Sequence, residues 1–387
     1  MFKYKIGDVY YSLEELSGWN AWDSTGNGKL TLNNLYTYSI ENGEIKKQPI
    51  VLAKPLEDWR ATTIPGHKIY SSSTQTYEPL KVLQAESIPN PNNQIFSLTG
   101  TDTTTYLYPD EESKASLIID WNKEYSESVT IYSKEDSSKP IIPSWVIFML
   151  QAGGGGGGGT DSGDSRNGAG GGGGGCIIGL LKLDFNTFSK YKIQIGSGGA
   201  GGTFSSEWKG TDGRNSCLYG VKPNGTETLL ATAYGGNGGI SNNNNWSGKS
   251  AAAGGSGYIA NTDYIKRAEI ISGGNGGQTN GIGTCSGANV TSRTIYFLDS
   301  SFAQYYSNSY FYKTTTTQTG GAAGSSNHAG GGGASTLGPG GAGGGTDSDG
   351  NSPANGYGGG GGGGRWSFWG TDHKGGNGKN GCFTLYY

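Results

Sequence analysis

The spacing of hydrophobic and polar residues divides the chain into two parts. In residues 1–139, Thr, Tyr, Val and Ile alternate with polar residues in short stretches bounded by Asn, Gly, Pro and Ser. This pattern is typical of short antiparallel strands, and Asn42-Gly43 favours a two-residue hairpin turn. Leu13–Leu16 is the one stretch that resembles a helical turn. The predicted strands are Val9–Tyr11, Lys29–Leu32, Leu35–Ile40, Ile50–Leu52, Lys81–Leu83, Ile95–Leu98, Thr105–Leu107, Ala115–Ile119 and Val129–Tyr132.

In the second part, strand-length apolar stretches alternate with runs of glycine. The stretch Trp145–Leu150 leads into seven consecutive glycines, Gly153–Gly159, and the chain closes on the strand-like residues 381–387. We therefore predict an all-β protein, with a β-rich domain over residues 1–139 and a glycine-rich domain over 140–387 that carries a long insertion at 278–319. The glycine-dense segments are 153–159, 168–175, 196–202, 235–239, 254–257, 273–277, 320–324, 330–333, 338–345, 356–364 and 375–378.

Glycine loses more conformational entropy on ordering than alanine, by about 0.5–1 kcal/mol per residue in regular structure. Two uses of the runs are consistent with the sequence. They are solvated tethers, or they are polyglycine II helices, extended left-handed helices with three residues per turn that pack side by side. Without side chains, neighbouring backbones approach closely enough to hydrogen-bond to one another. Seven glycines would then span about 22 Å at roughly 3.1 Å per residue.

Composition narrows the classes of function. Residues 1–139 hold 7 of the 74 glycines, which supports a domain boundary near residue 139. The formal net charge is −3 and no basic block is present, so the sequence does not favour a nucleic-acid partner. No apolar stretch approaches the roughly 20 residues of a membrane-spanning helix, so we expect no membrane insertion. The first residues lack an apolar leader segment, and we expect synthesis in a cytoplasm, with the four cysteines as buried free thiols.

Candidate catalytic and metal-binding residues are scattered. Asp23–Gly28 resembles a calcium loop, but position twelve is Asn34 rather than Glu, and a hairpin turn is the preferred interpretation. Asp372-His373-Lys374 lacks a nucleophile motif and is interpreted as a solvated loop. A carboxylate pair for glycan cleavage would have to come from Asp161, Asp164, Asp347 and Asp349, which the sequence does not bring together. We predict a protein that is not an enzyme and that has no metal or cofactor.

The segments between the glycine runs combine large aromatic residues with Asn, Ser, Thr, Asp and Gly. Antibody binding loops have this composition, because rigid aromatic rings supply contact area at low entropic cost and small polar residues adapt to the partner. An alternative is that these aromatic residues are buried and cap the glycine layers. The candidate binding residues are Trp208, Trp246, Tyr305, Tyr306, Tyr310, Tyr312, Arg365, Trp366, Phe368 and Trp369.

The order of these motifs resembles the glycine-rich domain at the ends of bacteriophage tail fibres and in tail-fibre adhesins. The resemblance is carried by the strand and glycine run at 145–159, the runs at 168–175 and 234–239, the motif at 191–202 and the C-terminal motif at 375–387. It implies a sandwich of polyglycine II helices whose connecting loops meet a host receptor. Glycines expected in this scaffold are Gly153, Gly159, Gly170, Gly175, Gly198, Gly236, Gly274, Gly340 and Gly360.

The resemblance implies a protein of the virion tail. Residues 1–139 would anchor it to other tail proteins of a fibre or baseplate, and the glycine-rich domain would bind a glycan or a protein on the host cell surface. The alternative within the virion is a structural component whose glycine-rich domain packs on neighbouring subunits. A cell-surface or spore-coat protein and a glycan-cleaving enzyme are less favoured alternatives.

Overall fold

The computed structural model describes the chain in segments. They are residues 3–6, 9–12, 31–41, 44–51, 57–71, 76–87, 94–99, 104–109, 116–121, 125–130, 145–160, 167–203, 206, 208–241, 251–279, 285–291, 294–296, 312–314, 317–324, 328–365 and 372–386. The calcium-like loop at Asp23–Gly28 and the helical turn at Leu13–Leu16 lie outside these segments. The described residues are strands, turns and glycine runs, with no α-helix among them, which confirms the predicted all-β class.

The chain divides into two compact units, residues 1–88 with 301–311, and residues 89–300 with 312–387. The first unit contains a four-stranded antiparallel sheet of order β2-β1-β5-β6 and the hairpin β3-β4. Glu41 pairs with Glu44, so a two-residue connection joins β3 to β4 at the predicted Asn42-Gly43 hairpin. These strands are β1 Lys3–Ile6, β2 Val9–Ser12, β3 Thr31–Glu41, β4 Glu44–Val51, β5 Glu57–Ser71 and β6 Thr76–Ser87.

The second unit contains two larger antiparallel sheets. One has seven strands in the order β10-β9-β8-β13-β14-β15-β16, and the other has five in the order β17-β12-β11-β20-β7. Strands from the region 94–130 therefore pair with strands of the glycine-rich region. The strands are β7 Gln94–Thr99, β8 Thr104–Pro109, β9 Ser116–Trp121, β10 Tyr125–Thr130, β11 Trp145–Gln151, β12 Cys176–Lys182, β13 Lys190–Gln194, β14 Ser216–Val221, β15 Glu227–Ala233, β16 Gly257–Ile259, β17 Ile265–Ile271, β18 Thr294–Tyr296, β19 Tyr312–Thr314 and β20 Cys382–Tyr386; β18 and β19 form a hairpin.

The hydrophobic core lies on both faces of the five-stranded sheet. On β11, Phe148 and Leu150 pack with residues of the seven-stranded sheet, while Ile147 and Met149 face a second, smaller cluster. Burial on both faces explains why Trp145–Leu150 is a continuous apolar run rather than an alternating one. Three of the four cysteines are buried and the fourth is partly buried, and all are free thiols, as expected from the sequence. The described part of the chain contains no helix that would reach across a bilayer.

The glycine runs continue from the ends of these strands and bond to one another with a period of three residues. In the run 153–159, every third N–H donates to the same neighbouring run, at N···O distances between 2.7 and 3.1 Å. Three residues per turn is the repeat of polyglycine II, which confirms that interpretation over the tether. Gly153, Gly156 and Gly159 donate to the carbonyls of Arg214, Thr211 and Trp208, respectively. Gly154, Gly157 and Thr160 donate to those of Lys379, Gly376 and His373. Gly155 and Gly158 donate to those of Gly172 and Ala169.

Together the described runs form a hexagonal lattice. Four of them, the inner runs 153–159, 168–175, 329–334 and 358–364, each bond to six neighbours. Ten others, the ring runs, enclose them, and each ring run bonds to the next around a closed circuit. In order around the circuit, the ring runs are 196–202, 373–381, 348–353, 339–344, 318–324, 285–290, 272–277, 252–256, 234–240 and 208–215.

Close approach, rather than unusual dihedral angles, is the reason for glycine in this lattice. A Cβ atom on Gly170 would lie 2.0 Å from Gly331 O, and one on Gly340 would lie 1.8 Å from Gly332 O. Positive φ among the described glycines is confined to Gly225, Gly356 and Gly358, which lie in turns or at the end of a run. All nine glycines named as scaffold residues would place a Cβ within 2.5 Å of a carbonyl oxygen of another run.

Loop end of the glycine lattice, the candidate functional site

Each run is antiparallel to the next run along the chain, so the connections between runs lie alternately at the two ends of the lattice. At the sheet end, β11, β13, β15 and β17 lead into runs, and other runs lead into β12, β14, β16 and β20. At the opposite end, which we call the loop end, the bridges Thr160–His373, Asn167–Arg365, Gly168–Ser241 and Ser348–Arg365 bring together the last residues of separate runs. The connections that leave the loop end are 161–166, 203–207, 241–251, 278–284, 325–328, 345–347 and 366–372.

Trp208 is part of the lattice at the loop end. Its side chain is 5% exposed, and its carbonyl accepts the N–H of Gly159 at 2.7 Å. The indole packs on Gly159, where an added Cβ would lie 2.8 Å from Trp208 Cε3. Its φ of 60° is in the left-handed region, which bulky residues rarely adopt. Trp208 therefore caps the inner run 153–159, in agreement with the alternative that aromatic residues cap the glycine layers.

Arg365 extends the inner run 358–364 to the surface of the loop end. Backbone bridges to Asn167 and Ser348 fix its position, and its Nη1 donates to Thr346 Oγ1 at 3.0 Å. Partial burial lowers the pKa of the guanidinium. Burial, and secondarily the charge of Arg365, lower the pKa of the nearby His328. An arginine and a histidine in its neutral form thus lie together at this surface.

A histidine clamp lies beside Arg365 and joins the start of the ring run 373–381 to residues 347 and 349. His373 Nε2 lies 2.7 Å from Asp347 Oδ1, and His373 Nδ1 lies 3.3 Å from Asp349 Oδ1. Asp349 Oδ1 also accepts the backbone N–H of Lys374 at 2.9 Å. His373 is buried, whereas Asp372 and Lys374 are exposed, so the interpretation of this tripeptide as a solvated loop is wrong for its histidine. The imidazole is buried because its backbone bridges to Thr160 at the end of an inner run.

The predicted binding residues fall into two groups by where their segments leave the lattice. Trp246, Trp366, Phe368 and Trp369 belong to connections of the loop end, between described residues that meet there, and they themselves lie outside the described residues. Together with Arg365, these connections form the candidate site.

The tyrosine-rich segment, residues 291–317, leaves the lattice at the sheet end. Val290 and Gln318 are bridged at the sheet end, where Val290 packs against the five-stranded sheet. Of the tyrosines, Tyr312 begins β19, and Tyr305, Tyr306 and Tyr310 lie outside the described residues. Within the predicted insertion 278–319, residues 285–290 form a ring run, because Gly287 and Ala288 donate to Gly321 and Asn275. The excursion from the lattice is therefore residues 291–317, and it does not share an end with Arg365.

On the outer side of the ring runs no further described run is present to accept backbone N–H groups, and side chains of neighbouring ring runs accept them instead. Asn377 Oδ1 accepts the N–H of Gly201 at 2.8 Å, and Asn380 Oδ1 accepts that of Gly198 at 2.9 Å. The three-residue spacing of these asparagines matches the helix repeat, so both point out of the lattice on one side. Similar bonds join Asn215 to Gly235, Asp212 to Gly238, Asn275 to Gly254 and Asn289 to Gly320. These outward residues satisfy exposed N–H groups, a role that we did not predict from the sequence.

We expect Asn377→Ala to destabilise the fold by about 1 kcal/mol, because Gly201 would lose its acceptor. The matched control is Asn237→Ala. This change removes an exposed, outward-pointing asparagine whose side-chain amide has no hydrogen-bond partner among the described residues. That variant should stay within about 0.5 kcal/mol of the parent. Denaturant unfolding measures both changes, and amide exchange should be faster at Gly201 in Asn377→Ala. Equal destabilisation by the two substitutions would contradict the capping role.

The candidate carboxylates are only partly brought together at the loop end. Two aspartates from the candidate carboxylate set, Asp347 and Asp349, do come together, but both contact His373; Asp161 and Asp164 lie outside the described residues. In the described part of the chain, no group of three or more His, Cys, Asp or Glu side chains is placed to hold a metal ion. The described groups at this end are thus a clamp that fixes the loops and a cation beside it.

Comparison with known proteins gives one family. A family model described as a glycine-rich domain matches residues 135–387, which is more than half of the chain. None of the curated proteins compared with the chain matches it significantly.

Proposed function

The chain belongs to the glycine-rich domain family, and from that premise we propose that it is an adhesin of a bacteriophage tail fibre or baseplate. In this proposal it resides in the virion tail, and residues 1–139 attach it to other tail proteins. The connections at the loop end bind a glycan or a protein on the surface of the host cell. Binding is non-covalent and requires no cofactor.

The observation that carries the proposal is the convergence of seven connections on one end of a rigid lattice. The lattice itself tolerates little change, because an added Cβ on its glycines would collide with a neighbouring backbone. The connections are free of that restriction and differ in length and in aromatic content. A constant scaffold with variable loops on one face is the arrangement by which antibody domains achieve recognition.

A structural role in the virion is the second candidate, and one observation favours it. Three of the large hydrophobic residues that are exposed lie along one side of the second unit: Tyr258 on the edge strand β16, and Tyr234 and Ile240 on the ring run 234–240. Tyr234 and Ile240 are six residues apart, two turns of the helix, and so point outward on the same side. In a structural component, this side would pack against a neighbouring subunit.

Two double variants distinguish these roles. We expect Trp366→Ala with Trp369→Ala, in a loop-end connection, to reduce the adsorption of virions to host cells at least tenfold without lowering the folding stability. Tyr234→Ala with Tyr258→Ala should adsorb as the parent does. The measurement is the adsorption rate of virions that carry each variant, together with the amount of the protein in purified particles. Normal adsorption of the tryptophan variant, with loss of the tyrosine variant from particles, would contradict the adhesin and favour the structural role.

A further inference from the structure

No carboxylate among the described residues pairs with Arg365 at the loop end. Among the described residues, its guanidinium has one hydrogen-bond partner, the neutral hydroxyl of Thr346 at 3.0 Å. The carboxylates on either side of Ser348, which is bridged to Arg365, are engaged elsewhere, because Asp347 and Asp349 both contact His373. A guanidinium has five N–H donors, so most of the donors of Arg365 are available to a ligand.

The surroundings of the guanidinium favour an anionic ligand over water. Arg365 is only partly exposed, and burial lowers its pKa. The partly buried imidazole of His328 lies close enough to feel its charge. Removing a cation from water without pairing it is unfavourable, and an oxyanion that accepts two N–H bonds in parallel would compensate. The Thr346 hydroxyl would hold the guanidinium plane in one orientation for that approach.

We propose that Arg365, His328 and Thr346 form a subsite for the oxyanion of an acidic polysaccharide on the host surface. This inference rests on the proposed function and specifies its ligand as an anionic glycan. The anion is a sugar carboxylate or a phosphate, which share the geometry of two oxygens that accept from one guanidinium. His328, in its neutral form, donates a further N–H to the anion.

Binding of the full-length protein to three immobilised polysaccharides tests the subsite. The probes are polygalacturonate for carboxylates, a phosphomannan for phosphates and neutral dextran as the blank. We expect the parent protein to bind at least one anionic probe, with an affinity at least tenfold above that for dextran and lower at high salt. Binding to polygalacturonate alone assigns a carboxylate, binding to phosphomannan alone assigns a phosphate, and binding to both assigns the shared oxyanion.

Two variants with the same change in charge make the test specific. Arg365→Gln should bind the anionic probe at least tenfold more weakly, whereas Lys209→Gln, which removes an exposed cation at the same end, should change the affinity less than twofold. Neither side chain is inside the lattice, and equal unfolding midpoints would verify that both variants fold. Equal binding by Arg365→Gln and the parent, equal losses in the two variants, or no preference of the parent for an anionic probe would each overturn the subsite.

The adsorption assay separates this inference from the proposed function. Suppose that Arg365→Gln matches the parent both in virion adsorption and in probe binding, while the double variant Trp366→Ala with Trp369→Ala fails to adsorb. The anion subsite is then wrong and the adhesin stands. If the tryptophan variant adsorbs normally while the tyrosine variant is lost from particles, the adhesin itself is contradicted, and the subsite, which rests on it, falls with it.

Discussion

Gly156→Ala should destabilise the protein by at least about 3 kcal/mol, well beyond the effect of an ordinary surface change. The new methyl group would lie 2.0 Å from Ala200 O and 2.4 Å from Ala200 C, far inside the normal contact distance of about 3.5–4 Å. The obstructing atoms are backbone, and no side chain is able to rotate away. Relief requires the inner run 153–159 and the ring run 196–202 to separate, which strains the hydrogen bonds that hold both of them. Denaturant unfolding of the purified protein measures the loss.

The control substitution is at Ala200, the residue whose backbone the new methyl group of Gly156→Ala would meet. Ala200→Ser adds one atom to an exposed, outward-pointing side chain of the ring run, and should stay within about 0.5 kcal/mol of the parent. If Gly156→Ala were as stable as Ala200→Ser, the close packing of backbones that defines the lattice would be refuted.

Trp208→Ala is expected to destabilise the protein by about 3 kcal/mol, at the lower end of the range for a buried tryptophan because the site lies near the surface. The substitution removes the ring that covers Gly159 and leaves the end of the inner run 153–159 open to water. Unfolding curves give the stability, and adsorption measured per folded molecule should be unchanged, because the indole is 5% exposed and has little surface to offer a receptor.

Tyr258→Ala is the matched control for this aromatic truncation. Its ring is 52% exposed, so its removal should cost less than about 1 kcal/mol. A Trp208→Ala protein with the parent's unfolding midpoint but reduced adsorption would assign Trp208 to recognition rather than to capping.

The uninterrupted glycine runs could be predicted from the sequence as scaffold, and in the structure they are two of the four inner runs. The runs 153–159 and 358–364 contain glycine at every position. Each inner run bonds to six others, so no direction remains in which a larger side chain could point. The strand patterns next to them were equally informative, because β11 and β12 are apolar on both faces.

The ring runs were harder to recognise because they require glycine only where they face inward. The run 208–215 has two glycines, Gly210 and Gly213, and its other residues include exposed Lys, Thr, Asp, Arg and Asn. The usable signal is the three-residue spacing of glycine rather than its density. Judged by density, 208–215 and 348–353 look like loops, and 285–290 looks like part of an insertion.

The candidate site could be predicted only in outline. Local sequence indicated that loops with tryptophan and arginine separate the runs, but which loops share an end depends on the direction of each run. Once all the ring runs are counted, the direction of each run follows, and Arg365 is assigned to one end of the lattice and the segment 291–317 to the other. The contacts of His373 with Asp347 and Asp349 join residues 24 to 26 positions apart, so no local motif could reveal them.

The closed circuit of ring runs has a consequence for how the protein is made. The first inner run, 153–159, donates every third N–H to residues 373–379, which belong to the last run of the lattice to be synthesised. Until they emerge, that run lacks one of its six neighbours and its backbone remains hydrated. The lattice is therefore complete only after its last run has been synthesised, and it combines contacts of long sequence separation, which are slow to form. A chain cut short by a premature stop codon before residue 373 would leave glycine backbone exposed to any other nascent copy, and co-aggregation of such fragments would follow.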